Sequence, residues 1–212
     1  MSRYDYLFWD WNGTLVNDVY AALESVNDIL ARRGRAPIDI ERYYSLVATP
    51  ITIFYERLFA PEEPDFPALS REFHEGYDLH MPKYGLAYGA RETLEALKCA
   101  GIRQAILSSS ESKRLTLQAE SFGVAGLFER IAGQDDFCAG SKLDSARRLL
   151  ADEGAVPQRT LVIGDLEHDA EVARELGADC LLYSGGHQSR SALETVGVPV
   201  IDRISDALEY IL

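Results

Sequence analysis

Five side chains in the 212-residue sequence have the types and spacing for chemistry on a charged ligand: Asp10, Ser108, Lys142, Asp165 and Asp169. Asp165 and Asp169 lie four residues apart, one helical turn, so both can face the same way. Clustered carboxylates attract a cation. Lys142 sits in "SKLD", a serine followed three residues later by an acid, close to a capping box. That places Lys142 at the first helical position, where the helix dipole disfavours a cation by roughly 0.3–1 kcal/mol. A nearby anionic site accounts for it; a solvated surface lysine is the bland alternative. Asp10 reads equally as a turn acid, and Asp165 and Asp169 as an ordinary loop and helix start. Ser108 to Ser110 read as a helix cap, with Ser110 the capping residue and Ser108 the better hydroxyl donor. His168 is read as facing solvent, and Trp9 and Trp11 as packing residues.

These residues need elements that bring them together. Tyr6 to Trp9 is a short continuous apolar run, as in strands buried on both faces. The following "WNGTLV" contains Asn-Gly, a strong hairpin signal. The apolar character fades after Val16, however, and Val19, Leu23, Val26, Ile29 and Leu30 repeat with helical spacing. Asp18 is a good N-cap and Gly34 a good stop. The order is therefore strand, tight turn, helix, not a hairpin. From 17 to 82 only helical patterns and proline-rich breaks occur, the clearest being "IERYYSLVATPITIFYERLF" and "FPALSREFHEGYDLHM", with "APEEPDFP" a loop.

From residue 84 onward strands alternate with helices. "AILSSS" ends a strand, a short strand lies near 129–132, "TLVIGD" ends in an acid, and "ADCLLY" and "VPVI" are further strands. This alternation predicts an α/β fold, a three-layer Rossmann-like parallel sheet, with an all-helical insertion after strand one. The expected domains are 1–16 with 83–212 as the α/β core and 17–82 as the helical insertion. Functional groups in such sheets collect at the carboxyl ends of the strands. Asp10, Ser108 and Asp165 fall there, as does the loop before Lys142.

The totals exclude several classes. With 34 acidic against 21 basic residues the net charge is −13, which argues against nucleic-acid binding. No window approaches the roughly 20 apolar residues of a membrane span. Cys99, Cys138 and Cys180 are scattered, which suggests reduced, mostly buried thiols and a cytoplasmic protein.

"FWDWNGTLV", "AILSSS", Lys142 and "VIGDLEHDA", in that order, resemble the four motifs of the haloacid dehalogenase superfamily. The helical insertion is similar to the cap of its phosphoglycolate-phosphatase-like subgroup. The resemblance implies a Mg²⁺-dependent phosphatase in which Asp10 attacks phosphorus to form an aspartyl phosphate. It implies metal ligands at Asp10, the backbone carbonyl of Asn12, Asp165 and Asp169. Ser108, Ser109 and Lys142 are then phosphate-binding or catalytic, and the Gly13–Thr14 turn brings backbone N–H groups near the phosphate. The implied partner is a small phosphorylated metabolite, with neither nucleic acid nor membrane. The oligomeric state is left open.

One position departs from the pattern. Most phosphatases of this family carry an acid two residues after the nucleophile, and here that residue is Asn12. An amide can hydrogen-bond but cannot shuttle a proton near neutral pH. Three readings follow: a phosphatase with slow chemistry or a good leaving group, a phosphate-binding or regulatory relative with little hydrolysis, and in-place deamidation of Asn12, which an ordered turn resists. Dehalogenation is less expected, because Gly13, Thr14 and "GDLEHD" are kept. A phosphonate hydrolase would need a cap lysine, and residues 17–82 contain none. Residues 45–54 are expected to face the substrate, with Arg42 and Arg57 nearby but solvated by default.

Overall fold

The computed structural model describes residues 2–134 and 141–212. In chain order the elements are β1 (Tyr6–Trp9), α1 (Val19–Arg32), α2 (Ile40–Leu46), α3 (Ile51–Phe59), α4 (Phe66–His80), α5 (Ala90–Cys99), β2 (Arg103–Glu111), α6 (Ser112–Ser121) and β3 (Arg130–Gln134). They continue with α7 (Lys142–Glu153), β4 (Thr160–Gly164), α8 (Glu167–Leu176), β5 (Asp179–Tyr183), the single-turn α9 (Arg190–Leu193), β6 (Val200–Ile201) and α10 (Asp206–Ile211). The chain divides into two compact units, 1–17 with 86–212, and 18–85.

The first unit is an α/β sandwich around a six-stranded sheet of order β3-β2-β1-β4-β5-β6. Every neighbouring pair is parallel. β1 is central and all four of its residues are buried, which is why it reads as an unbroken apolar run. Tyr6 and Phe8 pack with Ala146, Leu149, Val172 and Ala173 of α7 and α8 in one apolar cluster. The strand order reverses between β1 and β4, the switch point where such sheets open a crevice at their carboxyl ends. Asp10 follows β1 and Asp165 follows β4, so the two acids flank that crevice.

No hairpin forms at Asn12-Gly13. Val16 N–H donates to the Trp11 carbonyl at 2.9 Å and Gly13 N–H to the Val16 carbonyl at 3.0 Å, which closes a tight loop. Val16 then bridges to Leu86 instead of to β1. Gly13 has φ +76°, a left-handed conformation that glycine adopts without a Cβ penalty.

The second unit is all-helical. Leu23, Val26 and Leu30 of α1 meet Tyr43, Phe54, Tyr55, Phe59 and Leu69 in its core. Gly76 of α4 lies so close to α1 that an added Cβ would come within 3.2 Å of the Ser25 Cα. His80 bridges α4 to α1, with its ring nitrogens 2.9 Å from Glu24 and 2.7 Å from Asp28.

Three local expectations are corrected. The helical pattern from 40 to 59 breaks into α2 and α3 around Pro50, which cannot donate an N–H and disfavours helix in the residue before it. Asp18 occupies the N-cap position of α1 but its side chain makes no cap bond; it accepts from the Tyr77 hydroxyl at 2.6 Å. Cys180 is buried but Cys99 is exposed, because it ends α5 on the helix's polar side, and Cys138 lies outside the described residues. Among the described residues no helix is long and apolar enough to cross a membrane.

Candidate active site

Asp10 extends the β1–β4 ladder by one step, its N–H donating to the Ile163 carbonyl at 2.8 Å. That bond fixes the backbone from which its carboxylate projects into the crevice. Asp165 follows Gly164 on the neighbouring strand, and Asp169 opens α8 in that helix's favourable first turn. Asp169 Oδ2 accepts from Leu166 N–H at 3.0 Å, closing the first turn. Gly164 makes room for it, since a Cβ there would lie 2.2 Å from the Asp169 Cγ. The result is three buried acids, each with an oxygen within 4.8 Å of the others. Among the described residues they are the only such group of potential metal ligands.

Lys142 completes the cluster. The Ser141–Asp144 capping box forms and starts α7, as its residue types require. It sets Lys142 at the first helical position, with Nζ donating to Asp10 and, at 2.6 Å, to Asp169. The side chain is only 5% exposed, so the solvated-lysine alternative does not describe it. The two carboxylates account for a cation placed against the helix dipole. Despite burial, which acts the other way, the charges of Asp10 and Asp169 hold the Lys142 ammonium above its ordinary range.

The charges do not balance. Three carboxylates face one ammonium, and unpaired buried charge is costly. Burial pushes the Asp10 carboxyl up to about 8; Asp169 and Asp165 push the same way, while Lys142 opposes the rise. Burial likewise pushes Asp165 up to about 6, against the lowering effect of His187. A divalent cation with oxygen preference would supply the missing positive charge, and the three carboxylates could hold one.

Ser108 ends the regular part of β2 and is buried at 2% exposure. The β2–β3 register shifts between Leu107 and Glu111, so the serines sit on an irregular segment. Gly133 permits the close approach of β3 there, since a Cβ would lie 2.6 Å from the Ser110 carbonyl oxygen. Ser108 Oγ accepts from Ser110 N–H at 3.1 Å, while Ser109 is exposed. Ser110 is not a helix cap: α6 starts at Ser112 without a side-chain cap, and Ser110 Oγ donates to Asn12 Oδ1 at 2.7 Å. β2 runs on through Glu111, so Ser110 lies within the strand and Glu111 takes the N-cap position.

Thr14 Oγ1 donates to Asp165 Oδ1 at 2.9 Å. The N–H groups of Gly13 and Thr14 are donated within the turn, to the carbonyls of Val16 and Trp11. What the turn contributes here is therefore the Thr14 hydroxyl and the space left by Gly13. His168 lies by Glu171 at 3.1 Å, on the outer side of α8. The loop before Lys142, residues 135–140, lies outside the described residues.

Sequence reasoning missed His187. Its N–H donates to Asp165 Oδ2 at 2.7 Å. Its ring packs against the turn, since a Cβ on Gly13 would come 2.5 Å from the His187 Cδ2. Gly186 is equally constrained: a Cβ there would lie 2.2 Å from the Asp165 Cβ. The signal was "SGGHQ" directly after β5, at the same carboxyl edge as the residues that were found.

Comparison with known proteins points to one family. The sequence is 29% identical over 203 residues to the phosphoglycolate phosphatase of Agrobacterium fabrum, covering 92% of this chain and 86% of that protein. It is 26% identical over 191 residues to the phosphoglycolate phosphatase of Rhodobacter capsulatus, covering 86% and 85%. The fold matches that of a haloacid dehalogenase-like hydrolase from Streptococcus pneumoniae with a TM-score of 0.85 at 18% identity, over 98% of both chains. The haloacid dehalogenase-like hydrolase family model matches residues 7–183. The chain belongs to the haloacid dehalogenase-like hydrolases.

Proposed function

We propose that this hydrolase is a Mg²⁺-dependent phosphatase for small phosphomonoesters that works through a phosphorylated Asp10. The observation that carries this reading is Asp10 at the end of the central strand, bonded to Lys142 and ringed by Asp165 and Asp169. Asp10, Asp165, Asp169 and the Asn12 carbonyl would hold Mg²⁺, which when bound screens the negative charge of phosphate and nucleophile. Asp10 attacks phosphorus; the new O–P bond forms as the bond to the leaving oxygen breaks. Lys142 steadies the nucleophile and the transferring group, and Ser108 donates to a phosphoryl oxygen. Water then attacks the phosphoaspartate, releasing phosphate and restoring the carboxylate. The all-helical unit, residues 18–85, takes the part of the family's cap. Phosphoglycolate, from the relatives' name, is the first substrate to try, and the cytoplasm is the compartment suggested by three scattered cysteines.

Asn12 supports a second reading, a phosphate-binding relative with little turnover, because an amide supplies no proton to the leaving oxygen. A panel of small alkyl and aryl phosphates, with and without Mg²⁺, separates the two. Turnover that needs Mg²⁺ and favours aryl esters is expected. Phosphate binding with no hydrolysis of any ester selects the second reading.

The raised acids give a further expected result. In the metal-free fold Asp10 and Asp165 hold protons that the unfolded chain releases from about pH 4 upward. Their contribution to stability is full below that pH and is lost as pH rises through about 6 and then about 8. The metal-free Tm should therefore fall over this window. The rise in Tm on adding Mg²⁺ should widen over the same window, because the cation binds the ionised acids. Thermal melts across pH test this; a Mg²⁺ shift that is constant with pH sinks it.

A further inference from the structure

The contact between Ser110 and Asn12 has a consequence for what Asn12 can do. Asn12 Oδ1 is the acceptor for the Ser110 hydroxyl at 2.7 Å. A side-chain amide has one acceptor end and one donor end. With the hydroxyl on the oxygen, the orientation of the amide is fixed and its N–H₂ is the donor end. Ser110 is itself held: its N–H donates to Ser108 Oγ at 3.1 Å, and Gly133 lets β3 close against its carbonyl. The hydroxyl that orients the amide is thus anchored at the carboxyl end of β2, two residues after the buried Ser108.

We propose that Ser110 is a positioning residue, which fixes the Asn12 amide as a hydrogen-bond donor to the leaving oxygen of the substrate. This rests on the phosphatase reading of the same site. A fixed donor stabilises the negative charge that builds on the leaving oxygen as the O–P bond breaks, but transfers no proton to it. The substrate class it suits is one whose leaving group departs as a stable anion: an aryl phosphate, an enol phosphate or an acyl phosphate. The amide also ends the step unchanged, so it needs no later deprotonation before water attacks. Ser110 has no contact with the reacting atoms in this scheme, and acts only through Asn12.

The test is a double-mutant cycle read on one aryl and one alkyl phosphate. Ser110→Ala should lower kcat on the alkyl ester by about 5–10-fold, the worth of one oriented hydrogen bond. KM should stay within about 2-fold, because the contact strengthens only as charge develops. The loss on the aryl ester should be smaller, since that leaving group needs the donor less. Ser110→Thr keeps the hydroxyl and should restore most of the rate. In an Asn12→Ala background, Ser110→Ala should add less than about 2-fold. Thermal melts of each variant confirm that it folds.

Equal losses on both esters, a full Ser110→Ala effect in the Asn12→Ala background, or no recovery with Ser110→Thr overturns the proposal. If the wild type hydrolyses no ester, the phosphatase reading itself falls. The amide's orientation is then read from orthovanadate binding, which Ser110→Ala and Asn12→Ala should weaken alike and non-additively. Vanadate affinity unchanged by Ser110→Ala would overturn the orientation as well.

Discussion

Asp10→Asn is expected to lower turnover of every phosphate ester by about 10⁴-fold or more, the scale seen when a covalent nucleophile is removed. The substitution keeps the size of the side chain but leaves no carboxylate to attack phosphorus. It should not unfold the protein. Burial already pushes the Asp10 carboxyl up to about 8, so the fold disfavours its charged form. A neutral amide relieves repulsion from Asp165 and Asp169, and Lys142 keeps its bond to Asp169 at 2.6 Å. The metal-free variant should therefore melt at or above the wild-type temperature while binding Mg²⁺ more weakly. Intact-mass analysis after quenching with a phosphate donor gives an independent readout. Wild type should carry a phosphoryl adduct and the variant none. A variant that retains turnover, or one labelled like wild type, removes Asp10 from the nucleophile's role.

The elements that position these acids were legible in the sequence because their signals are local. The β1 run and the "SKLD" start of α7 each depend on residues within a turn of one another. Asp10, Ser108 and Asp165 could be placed at one edge because parallel strands all present their carboxyl ends there. What sequence could not show was contact across long separations. Ser110 and Asn12 are 98 residues apart, and nothing local says that a serine near a helix start will turn to an amide instead of capping. His187 was missed for a related reason: its place after β5 is readable, but its link to Asp165 is a backbone N–H, which any residue type could supply. The helical pattern at 40–59 misled because apolar spacing carried across Pro50, while the break depends on a missing N–H. The charge imbalance in the cluster was hidden as well, since it is burial that raises Asp10 and Asp165 and sequence alone carries no burial.

Asn12→Asp is expected to raise kcat on alkyl phosphates by about 10²–10⁴-fold, the usual worth of general acid–base catalysis. An alkoxide is a poor leaving group without a proton, and the new carboxyl can deliver one and then accept one from the attacking water. An aryl phosphate leaves as a stable anion, so its rate should change little. The ratio of aryl to alkyl rates should therefore collapse in the variant. Ser110 limits the gain: its hydroxyl donates to the oxygen at this position, and a donor favours the ionised carboxylate, which has no proton to deliver and so leaves less of the acid form. The lower end of the range is thus expected with Ser110 present, and a further rise with Ser110→Ala added. That sign is opposite to the loss Ser110→Ala causes beside the native amide, which makes the pair of measurements hard to mimic by a general change in stability. If the wild type is already fast on alkyl esters and Asn12→Asp is no faster, another group delivers the proton. His187, whose ring packs against Gly13 beside Asp165, is then the residue to substitute next.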